Sequence, residues 1–566
     1  MNKLYLFILL IAITSCQKPT KGIVSNDNAS FFDLNLFEDK IKIDSVALNN
    51  SENKLLIEFY KNYKYETVWQ SEEHRNFVLQ EIGNAENEGL DPIDYWYNSI
   101  KKNEDNYDDL TDEQLVNYDL LLTQSMQSYI SHISKGKVNP LVVYDDYDLK
   151  EKIVDVNSIL KDCIDKNDFS DIIEGCKPSH PMYKNLKESL RILKAYPKVK
   201  TENFDSKTPK LIPGKSYKAV VLLKRKINYW KDAVITDSLS NVYDKETVAG
   251  VKKFQKRHGL YPDGVVGAGT IEVLNFTREQ RIKQVCANLE RWRWYARDFG
   301  SNYLLINIPD YSLVAIKDGD TTQKQRVVVG KKTRQTPVLE SKISNINLNP
   351  NWTVPPTILA EDVFPDAIKD RNKFNKDKLK IYNWKKQEIS PWEWKIEDAN
   401  KYHYVQLPGR NSALGLMKIN FKNKYSVYLH DTNHRDYFKF TYRALSSGCV
   451  RLEKPLEMAE YILNDEENWP LEKIQDTTNI NHYIKLKREK FNEQAKKDAA
   501  RLAKNPLLII TPKKFVNPEL KTIVLGVKED IFIHQLYWTA WQNNGVLQFR
   551  EDIYCRDSDL FAYLYY

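Results

Sequence analysis

A histidine and a cysteine in the C-terminal half of the chain, His430 and Cys449, are spaced so that they could act together in nucleophilic catalysis. A free thiol has a pKa near about 8.5, so a cysteine nucleophile needs a base or a cation beside it. His430 could take the thiol proton and return one to a leaving amine. Gly448 lets the backbone turn tightly, and N–H groups of Gly448 and Cys449 could donate to an oxyanion.

Residues 425–431 should position the histidine, because they alternate in the manner of a β-strand. Val427 and Leu429 share one face of this strand, and Tyr428 and His430 share the other. One face would pack into a core, while the other would present an imidazole beside a phenol. We therefore expect the catalytic base at the end of a strand and the nucleophile on the loop that follows.

The residues around this pair resemble a known family, the L,D-transpeptidases with a YkuD-type catalytic domain. The resemblance is carried by the strand-end His430 and by the loop 446–451, which reads Ser-Ser-Gly-Cys-Val-Arg. The stretches 349–356, 413–415 and 549–554 agree with it. Together with the domain order below, they resemble the large multidomain subfamily over nearly the whole mature chain.

The resemblance implies a role for individual residues. Cys449 would be the nucleophile, and His430 would be the general base and acid. The implied loop residues are Gly448, Ser447 and Ser446, and the implied substrate-binding residues are Arg451, Tyr428 and Trp352. Two positions depart from the family pattern: many smaller relatives have His where Ser447 stands, and relatives commonly have Gly where Cys555 stands.

The reaction that the resemblance implies consists of two acyl transfers. Cys449 would attack the carbonyl of the diamino acid at the third position of a peptidoglycan stem peptide and expel the terminal D-alanine. A side-chain amine of a neighbouring stem would then attack the thioester. The implied partners are stem peptides and glycan, with no metal or organic cofactor, and a carbapenem should acylate the same thiol.

Other functions remain open from the sequence. Water could replace the amine acceptor, which would make the protein an L,D-carboxypeptidase. A papain-like wall peptidase would have its cysteine before its histidine, which is the reverse of the order here. His430 and His434 suggest a zinc pair, but neither an HExxH nor an HxH motif accompanies them. A non-catalytic wall-binding lipoprotein would be expected to lack the base or the nucleophile.

The rest of the sequence indicates an α+β multidomain protein. Helical spacing of apolar residues predicts a scaffold domain at 34–210, followed by a small three-helix unit at 211–277. A linker helix is predicted at 278–300. Short β-rich runs separated by turns predict a mainly β catalytic domain at 301–566. This domain has two insertions. The first, at 361–403, stands where the resemblance implies a substrate-capping element, and the second, a charged segment at 486–520, is interpreted as a solvated insertion.

The unit at 211–277 resembles the peptidoglycan-binding domain type 1. Residues 254–267 carry the motif, from Phe-Gln through Gly-Leu and Asp-Gly to Val-Gly. We expect Gly259 to end a helix and Gly264 and Gly267 to occupy turns with positive φ. The resemblance implies wall binding, although some members serve only as spacers.

The N-terminus resembles a bacterial lipoprotein signal. Lys3 precedes a short apolar run at 4–13, which is too short to span a bilayer, and Cys16 follows small residues. Residues 1–16 would be the signal peptide with Cys16 as the lipidated residue, and 17–33 would be a flexible tether. We expect the protein to lie at the periplasmic face of the cell envelope, where the lipid anchors it to a membrane. An ordinary secretory signal is the alternative.

Bulk composition fits this interpretation. The chain has 566 residues, 28% of them charged, and a formal net charge of +7 that is too diffuse to indicate nucleic-acid binding. Apart from Cys16 there are five cysteines, so at least one thiol must stay unpaired. Cys163 and Cys176 are close enough in sequence to form a disulfide, which the sequence leaves open.

Overall fold

The structure is a computed structural model that describes residues 40–199, 202–295, 298–504, 514–515 and 520–565. The predicted signal peptide, Cys16 and the tether at 17–33 lie outside the described residues. So do 505–513 and 516–519, which belong to the predicted charged insertion. Within the described part of the chain, no helix has the length and apolarity needed to cross a membrane.

The N-terminal region is helical, as predicted, and has a core of its own. Its helices are α1 (Ser45–Asn49), α2 (Lys54–Asn62), α3 (Glu72–Gly83), α4 (Tyr97–Glu104), α5 (Asp112–Lys135), α6 (Pro140–Val143), α7 (Val156–Lys166), α8 (Phe169–Cys176) and α9 (Pro181–Lys194). The long central helix α5 begins with a capping box between Thr111 and Gln114, which satisfies orphan N–H groups. Cys163 is a buried free thiol, so the disulfide with Cys176 that the sequence left open is not formed, and Cys176 is buried as well.

Three helices form the second unit: α10 (Ala219–Tyr229), α11 (Lys245–Arg257) and α12 (Ala268–Leu274). Gly259 and Gly264 have φ values of +70° and +79°, as expected. The expectation for Gly267 is wrong. Its φ is −97°, because it is the N-cap residue of α12, where an extended backbone is usual.

The predicted linker helix is α13 (Arg278–Trp294), and it is buried along most of its length. It contacts α9 of the scaffold and the C-terminal domain, so it lies inside the molecule rather than between separate parts. Two of its buried arginines form ion pairs within that core: Arg291 Nη1 lies 2.6 Å from Asp557 Oδ1, and Arg293 Nη1 lies 2.8 Å from Glu290 Oε2. The helix therefore joins the units into one hydrophobic core.

The strands are β1 (Tyr147–Asp148), β2 (Asn302–Asn307), β3 (Ser312–Lys317), β4 (Asp320–Gly330), β5 (Val338–Leu348), β6 (Trp352–Thr353), β7 (Leu379–Tyr382), β8 (Glu388–Ile389), β9 (His403–Gln406), β10 (Met417–Phe421), β11 (Leu429–His430), β12 (Ala444–Ser446), β13 (Val450–Leu452), β14 (Ile523–Gly526), β15 (Phe532–Leu536), β16 (Ala540–Asn543) and β17 (Val546–Phe549). In the described residues, eleven strands form the main sheet, in the order β1-β5-β10-β11-β13-β4-β3-β2-β15 with β12 on β4 and β14 on β5. The sheet closes because β15 pairs with both β2 and β5. The scaffold adds β1 to this sheet.

The remaining helices are α14 (Pro356–Ile358), α15 (Phe364–Lys369), α16 (Lys373–Lys376), α17 (Pro455–Leu463), α18 (Leu471–Thr478), α19 (Ile480–Lys504) and α20 (Arg556–Leu564). Part of the predicted charged insertion is α19, which buries none of its described residues. A helix with no buried face contributes little to the core, in keeping with the predicted solvated segment.

The capping insertion folds as a small subdomain. Its sheet has the order β6-β9-β7-β8, and it encloses a separate apolar core. Trp394 lies in that core and donates from Nε1 to the Tyr404 hydroxyl at 2.7 Å, whereas Trp384 and Trp392 are exposed. β6 is the first strand of this sheet along the chain and β9 is the last. The subdomain therefore spans 352–406, which is wider than the predicted 361–403.

The strand predicted at 425–431 is shorter in the structure. Only Leu429–His430 pairs with neighbouring strands, because Ser426 has a φ of +57° that is incompatible with an extended strand. The Asn423 side chain stabilises the preceding turn by accepting hydrogen bonds from the N–H groups of Tyr425 and Val427. Leu429 still faces the core, and the rings of Tyr428 and His430 remain neighbours.

Candidate active site

His430 is held between two neighbouring strands of the closed sheet. It pairs with Lys418 of β10 on one side and with Arg451 of β13 on the other. Its ring centroid is 5.5 Å from that of Tyr428, at an angle of 63°. Buried Leu429 anchors the strand to the core. A base built on paired strands is positioned more firmly than one on a loop.

The nucleophile loop is shaped by hydrogen bonds to its backbone. Thr336 Oγ1 donates to the Gly448 carbonyl at 2.9 Å, and Ser446 Oγ donates to the Cys449 carbonyl at 2.5 Å. Gly448 has a φ of +105°, and a Cβ there would lie 3.2 Å from the Gln335 carbonyl oxygen. The loop therefore needs glycine at this position.

One part of the predicted oxyanion site is wrong in this structure. The Gly448 N–H donates to Ser446 Oγ at 3.2 Å, so it is not free to bind an oxyanion. The Cys449 N–H is the remaining donor of the predicted pair. Ser446 shapes the loop, as the sequence suggested.

Support for the loop comes from the C-terminal stretch that the family resemblance singled out. The Tyr554 hydroxyl donates to the Gly330 carbonyl at 2.6 Å and accepts from the Thr336 N–H at 3.2 Å. Since Thr336 holds Gly448, Tyr554 links the end of the chain to the nucleophile loop.

Cys449 and His430 line one cleft of about 470 Å³, together with Trp352, Tyr428 and Arg451. The structure thus brings together the predicted catalytic pair and the three predicted substrate-binding residues. Ser446 and Ser447 line the same cleft, whereas Gly448 is not one of its lining residues. The roles of these residues remain predictions.

Opposing effects act on the pKa of the Cys449 thiol. Burial raises its pKa above the ordinary value. Hydrogen bonds from the backbone and hydroxyl of Tyr428 oppose this shift, as do the charges of Lys418 and Arg451. The net shift of the pKa is upward, so Cys449 is a neutral thiol at rest. The two nearby cations stabilise the thiolate when the proton leaves.

The pKa of His430 is lowered to about 3, first by burial and then by the charges of Arg451 and Lys418. The imidazole is therefore neutral at neutral pH and able to accept a proton. Its Nδ1 is buried without a hydrogen-bond partner among the described residues. Because the same two cations disfavour an imidazolium, the geometry does not favour a resting thiolate–imidazolium pair.

Lys418 was missed by the sequence reasoning. Its Nζ lies 3.8 Å from the centroid of the Tyr428 ring. Burial lowers its pKa, and the neighbouring Cys449 opposes that shift. The available signal was the alternation of β10, in which Met417 and Ile419 are buried and Lys418 has the opposite orientation. A lysine on the strand beside the catalytic histidine could have been noticed.

Arg451 and Trp352 border the cleft in different ways. Arg451 Nη1 donates to Thr432 Oγ1 at 3.4 Å, and its guanidinium lies 5.9 Å from the Tyr437 ring centroid. Its buried Nε has no partner in the described part of the chain. Trp352 begins the capping subdomain and hydrogen-bonds to Tyr428, which lowers the pKa of that phenol against the dominant effect of burial.

Arg334 connects the capping subdomain to the nucleophile loop, and no pattern in the sequence indicates this contact. Its guanidinium forms ion pairs with Glu361 and with Asp362, where Nη1 lies 2.6 Å from Oδ2. The same Nη1 donates to Ser447 Oγ at 3.0 Å. We call Arg334, Glu361, Asp362 and Ser447 the cap latch.

His434, the other half of the suspected zinc pair, stacks on Tyr437 with ring centroids 4.8 Å apart. Among the described residues, no three His, Cys, Asp or Glu side chains are grouped as metal ligands.

The fold and the cleft define a multidomain protein whose C-terminal β domain carries a thiol–imidazole site. Comparison with protein families gives this domain its identity: residues 301–467 match the "L,D-transpeptidase catalytic domain". Residues 216–274 match the "Putative peptidoglycan binding domain", and 54–190 match the "Scaffold domain". The chain therefore contains a YkuD-type L,D-transpeptidase catalytic domain and a type 1 peptidoglycan-binding domain.

The chain is also similar to individual proteins. A "Putative L,D-transpeptidase" of Haemophilus influenzae is 32% identical over 288 residues, which are 50% of this chain and 50% of the relative. An L,D-transpeptidase structure from Xylanimonas cellulosilytica is 14% identical, covers 47% of this chain and 96% of its own, and has a TM-score of 0.16. One from Stackebrandtia nassauensis is 16% identical, covers 44% and 88%, and has a TM-score of 0.20.

Proposed function

We propose that the protein is an L,D-transpeptidase that cross-links peptidoglycan between third-position diamino acids, with Cys449 as its nucleophile. The observation that carries the proposal is the single cleft shared by Cys449, His430 and Arg451 within a domain of this family. The thiol and the imidazole are both neutral at rest, which suits a proton transfer that accompanies attack.

In the first half-reaction His430 takes the thiol proton as Sγ bonds to the carbonyl carbon of the third stem residue. Negative charge moves to the carbonyl oxygen, for which the Cys449 N–H is the candidate donor. Collapse of the tetrahedral intermediate breaks the C–N bond, and His430 gives its proton to the amine of the departing D-alanine. The product is a thioester on Cys449.

In the second half-reaction the side-chain amine of another stem attacks the thioester carbon. His430 accepts a proton from that amine, the C–S bond breaks, and the thiol is re-formed with the same proton. Lys418 and Arg451 stabilise the leaving thiolate, because both cations lie beside the thiol. Water in place of the amine would give the tripeptide instead of the cross-link.

Product analysis tests the proposed reaction. Purified protein incubated with disaccharide-tetrapeptide should release D-alanine and form a dimer detectable by mass spectrometry. Tripeptide alone would instead establish an L,D-carboxypeptidase, and unchanged substrate would leave only a binding function.

We also propose that Cys16 is lipidated and anchors the protein at the periplasmic face of the cell envelope. The support is the lysine, apolar run and cysteine in the first sixteen residues. Labelled fatty acid should be incorporated into the wild type in bacterial cells and not into Cys16→Ser. Equal labelling of the two proteins would contradict lipidation at this residue.

A further inference from the structure

A second cavity, of about 480 Å³, lies where the peptidoglycan-binding unit, helix α13 and the catalytic domain meet. It shares none of its lining residues with the active-site cleft. Its walls are rich in aromatic side chains from the binding unit and the catalytic domain: Phe276, Tyr311, Tyr442, Phe549 and Phe561. A concave, largely apolar space with a few charged groups is the usual form of a small-ligand site.

The cavity is held open by a contact between the units. Arg550 Nη1 donates to the Arg257 carbonyl at 3.2 Å, and its Nε pairs with Asp310 at 2.6 Å. Gly259 allows this approach, because a Cβ there would lie only 2.5 Å from Arg550 Cδ. The two sides are therefore fixed relative to each other around Arg550.

A buried arginine, Arg281, lines this cavity with only 3% of its surface exposed. Its guanidinium carbon lies 4.1 Å from the centroid of Phe276 and 4.4 Å from that of Phe549. Its hydrogen bonds go to Gln284 Oε1 at 2.7 Å and to the Val273 carbonyl at 3.4 Å. Both acceptors are neutral.

Arg281 differs in this from the neighbouring arginines. Arg257 pairs with Asp232 and Arg550 pairs with Asp310, but no carboxylate of the described residues lies within ion-pair distance of Arg281. Burial and the charge of Arg257 lower the pKa of Arg281, with Asp557 opposing. A guanidinium remains protonated in proteins, so this environment favours the arrival of an anion.

The cavity has an acidic side as well. Glu272 and Glu551 both line it, and burial together with Glu272 and Asp552 raises the pKa of Glu551. Tyr442 stands beside them, with its pKa raised by burial and by Glu551. Carboxylates that repel each other would be stabilised by a cation between them.

We propose that this cavity is a second binding site for a stem peptide, a ligand that carries short aliphatic groups, carboxylates and an amine. The carboxylate pairs with Arg281, the ammonium lies between Glu272 and Glu551, and the apolar part packs on the aromatic rings. The inference rests on the proposed function for its choice of peptidoglycan. It gives the binding unit a defined site that is completed by the catalytic domain, and the site would hold the polymer while the cleft reacts.

The test uses the full-length Cys449→Ala protein with disaccharide-tetrapeptide as the probe, so that no turnover occurs. Hydrogen exchange should show ligand protection of residues 269–284 and 546–561, in addition to any protection at the cleft. Titration calorimetry on further variants should show affinity at this site reduced on the order of tenfold or more by Arg281→Gln. Glu551→Gln and Tyr442→Ala change exposed residues and should also weaken binding at this site, whereas Tyr442→Phe should not.

Absence of protection at these segments, or unchanged affinity in Glu551→Gln and Tyr442→Ala, would overturn the inference. If Arg281→Gln fails to fold, the affinities of Glu551→Gln and Tyr442→Ala decide whether this cavity binds the probe. A probe whose terminal carboxylate is amidated should bind more weakly than the parent probe if Arg281 receives that group. Acylation of wild-type Cys449 is measured separately, so that failure of the proposed reaction is distinguished from failure of this site.

Discussion

At the scale of single residues, the main feature is a neutral thiol beside a neutral imidazole and two cations. His430 is kept neutral by burial and by Arg451 and Lys418. The same cations counteract the rise that burial causes in the pKa of Cys449. In the proposed reaction, the two cations would therefore stabilise the thiolate as it forms during attack, and the resting site would hold a neutral thiol.

Replacing Lys418 should make the thiol harder to ionise. In Lys418→Met we expect a higher thiol pKa and carbapenem acylation at pH 7 slower by about tenfold, because one cation beside the sulfur is lost. Lys418→Arg should retain most of the rate, and Lys422→Met, an exposed lysine beyond β10, should match the wild type. The pH profile of the acylation rate measures this. Superimposable profiles for Lys418→Met and the wild type would contradict the role.

Buried histidines should make the fold sensitive to acid. The pKa values of His132 and His534 are lowered to about 4 by burial, and that of His430 to about 3. A histidine with a depressed folded pKa stabilises the protein above its unfolded pKa of about 6.5, and that stabilisation is lost as pH falls toward the folded value. We expect Tm to fall by more than about 5 °C between pH 7 and pH 5.

His534→Gln provides the matched comparison for the acid sensitivity. Glutamine can still donate toward the Phe299 carbonyl, which lies 3.1 Å from His534 Nε2, but it does not titrate. Its Tm should therefore fall less than that of the wild type over the same pH range. An equal or larger fall would show that buried histidines do not cause the acid sensitivity.

At the scale of elements, much of the arrangement could be predicted and some could not. Alternation placed Val427 and Leu429 opposite Tyr428 and His430, which the structure confirms, because local periodicity reports the buried face. The capping sheet, β5 and the cap latch were not predicted. Their partners are distant in sequence, and no local pattern identifies the pairing of Arg334 with Asp362.

The cap latch should control how the capping subdomain covers the cleft. In Arg334→Ala we expect kcat/KM for the tetrapeptide to fall by about fivefold, because Ser447 and the cap lose their common contact. Stability should change by less than about 1 kcal/mol, since Glu361 and Asp362 are largely exposed. The control is Arg326→Ala, which removes an exposed ion pair between Arg326 of β4 and Glu453.

Hydrogen exchange across 352–406 gives an independent readout of the latch. Exchange there should be faster in Arg334→Ala than in Arg326→Ala. Equal exchange in the two variants, together with an unchanged kcat/KM in Arg334→Ala, would show that Arg334 does not control the capping subdomain.

At the scale of the whole molecule, the peptidoglycan-binding unit is part of the same core as the catalytic domain. Val251 and Phe254 of the unit belong to one apolar cluster with β-sheet residues such as Ile306. The sequence motif identified the unit but did not predict this shared core, because a motif match does not show which surfaces its unit buries. Deleting residues 216–277 would expose this core, so a point variant at the interface is the better probe.

Arg550→Ala should loosen the interface without disturbing the chemistry. Removing a largely buried partner of Asp310 should lower the free energy of unfolding by about 3 kcal/mol. Carbapenem acylation at 25 °C should stay within about twofold of the wild type, since Arg550 lies outside the cleft. Lys342→Ala, which breaks an exposed pair with Asp530, should leave stability nearly unchanged. Loss of acylation in a folded Arg550→Ala protein would show that the interface shapes the active site.

In the proposed reaction Cys449 carries the acyl group, and this intermediate can be trapped. Wild-type protein mixed with disaccharide-tetrapeptide, quenched in acid and digested, should yield a peptide containing residues 444–452 with the mass of the acyl group on Cys449. Cys449→Ala should yield no adduct, while its circular dichroism stays that of the wild type. Cross-linked product from Cys449→Ala, or an adduct on another residue of the wild type, would contradict the account.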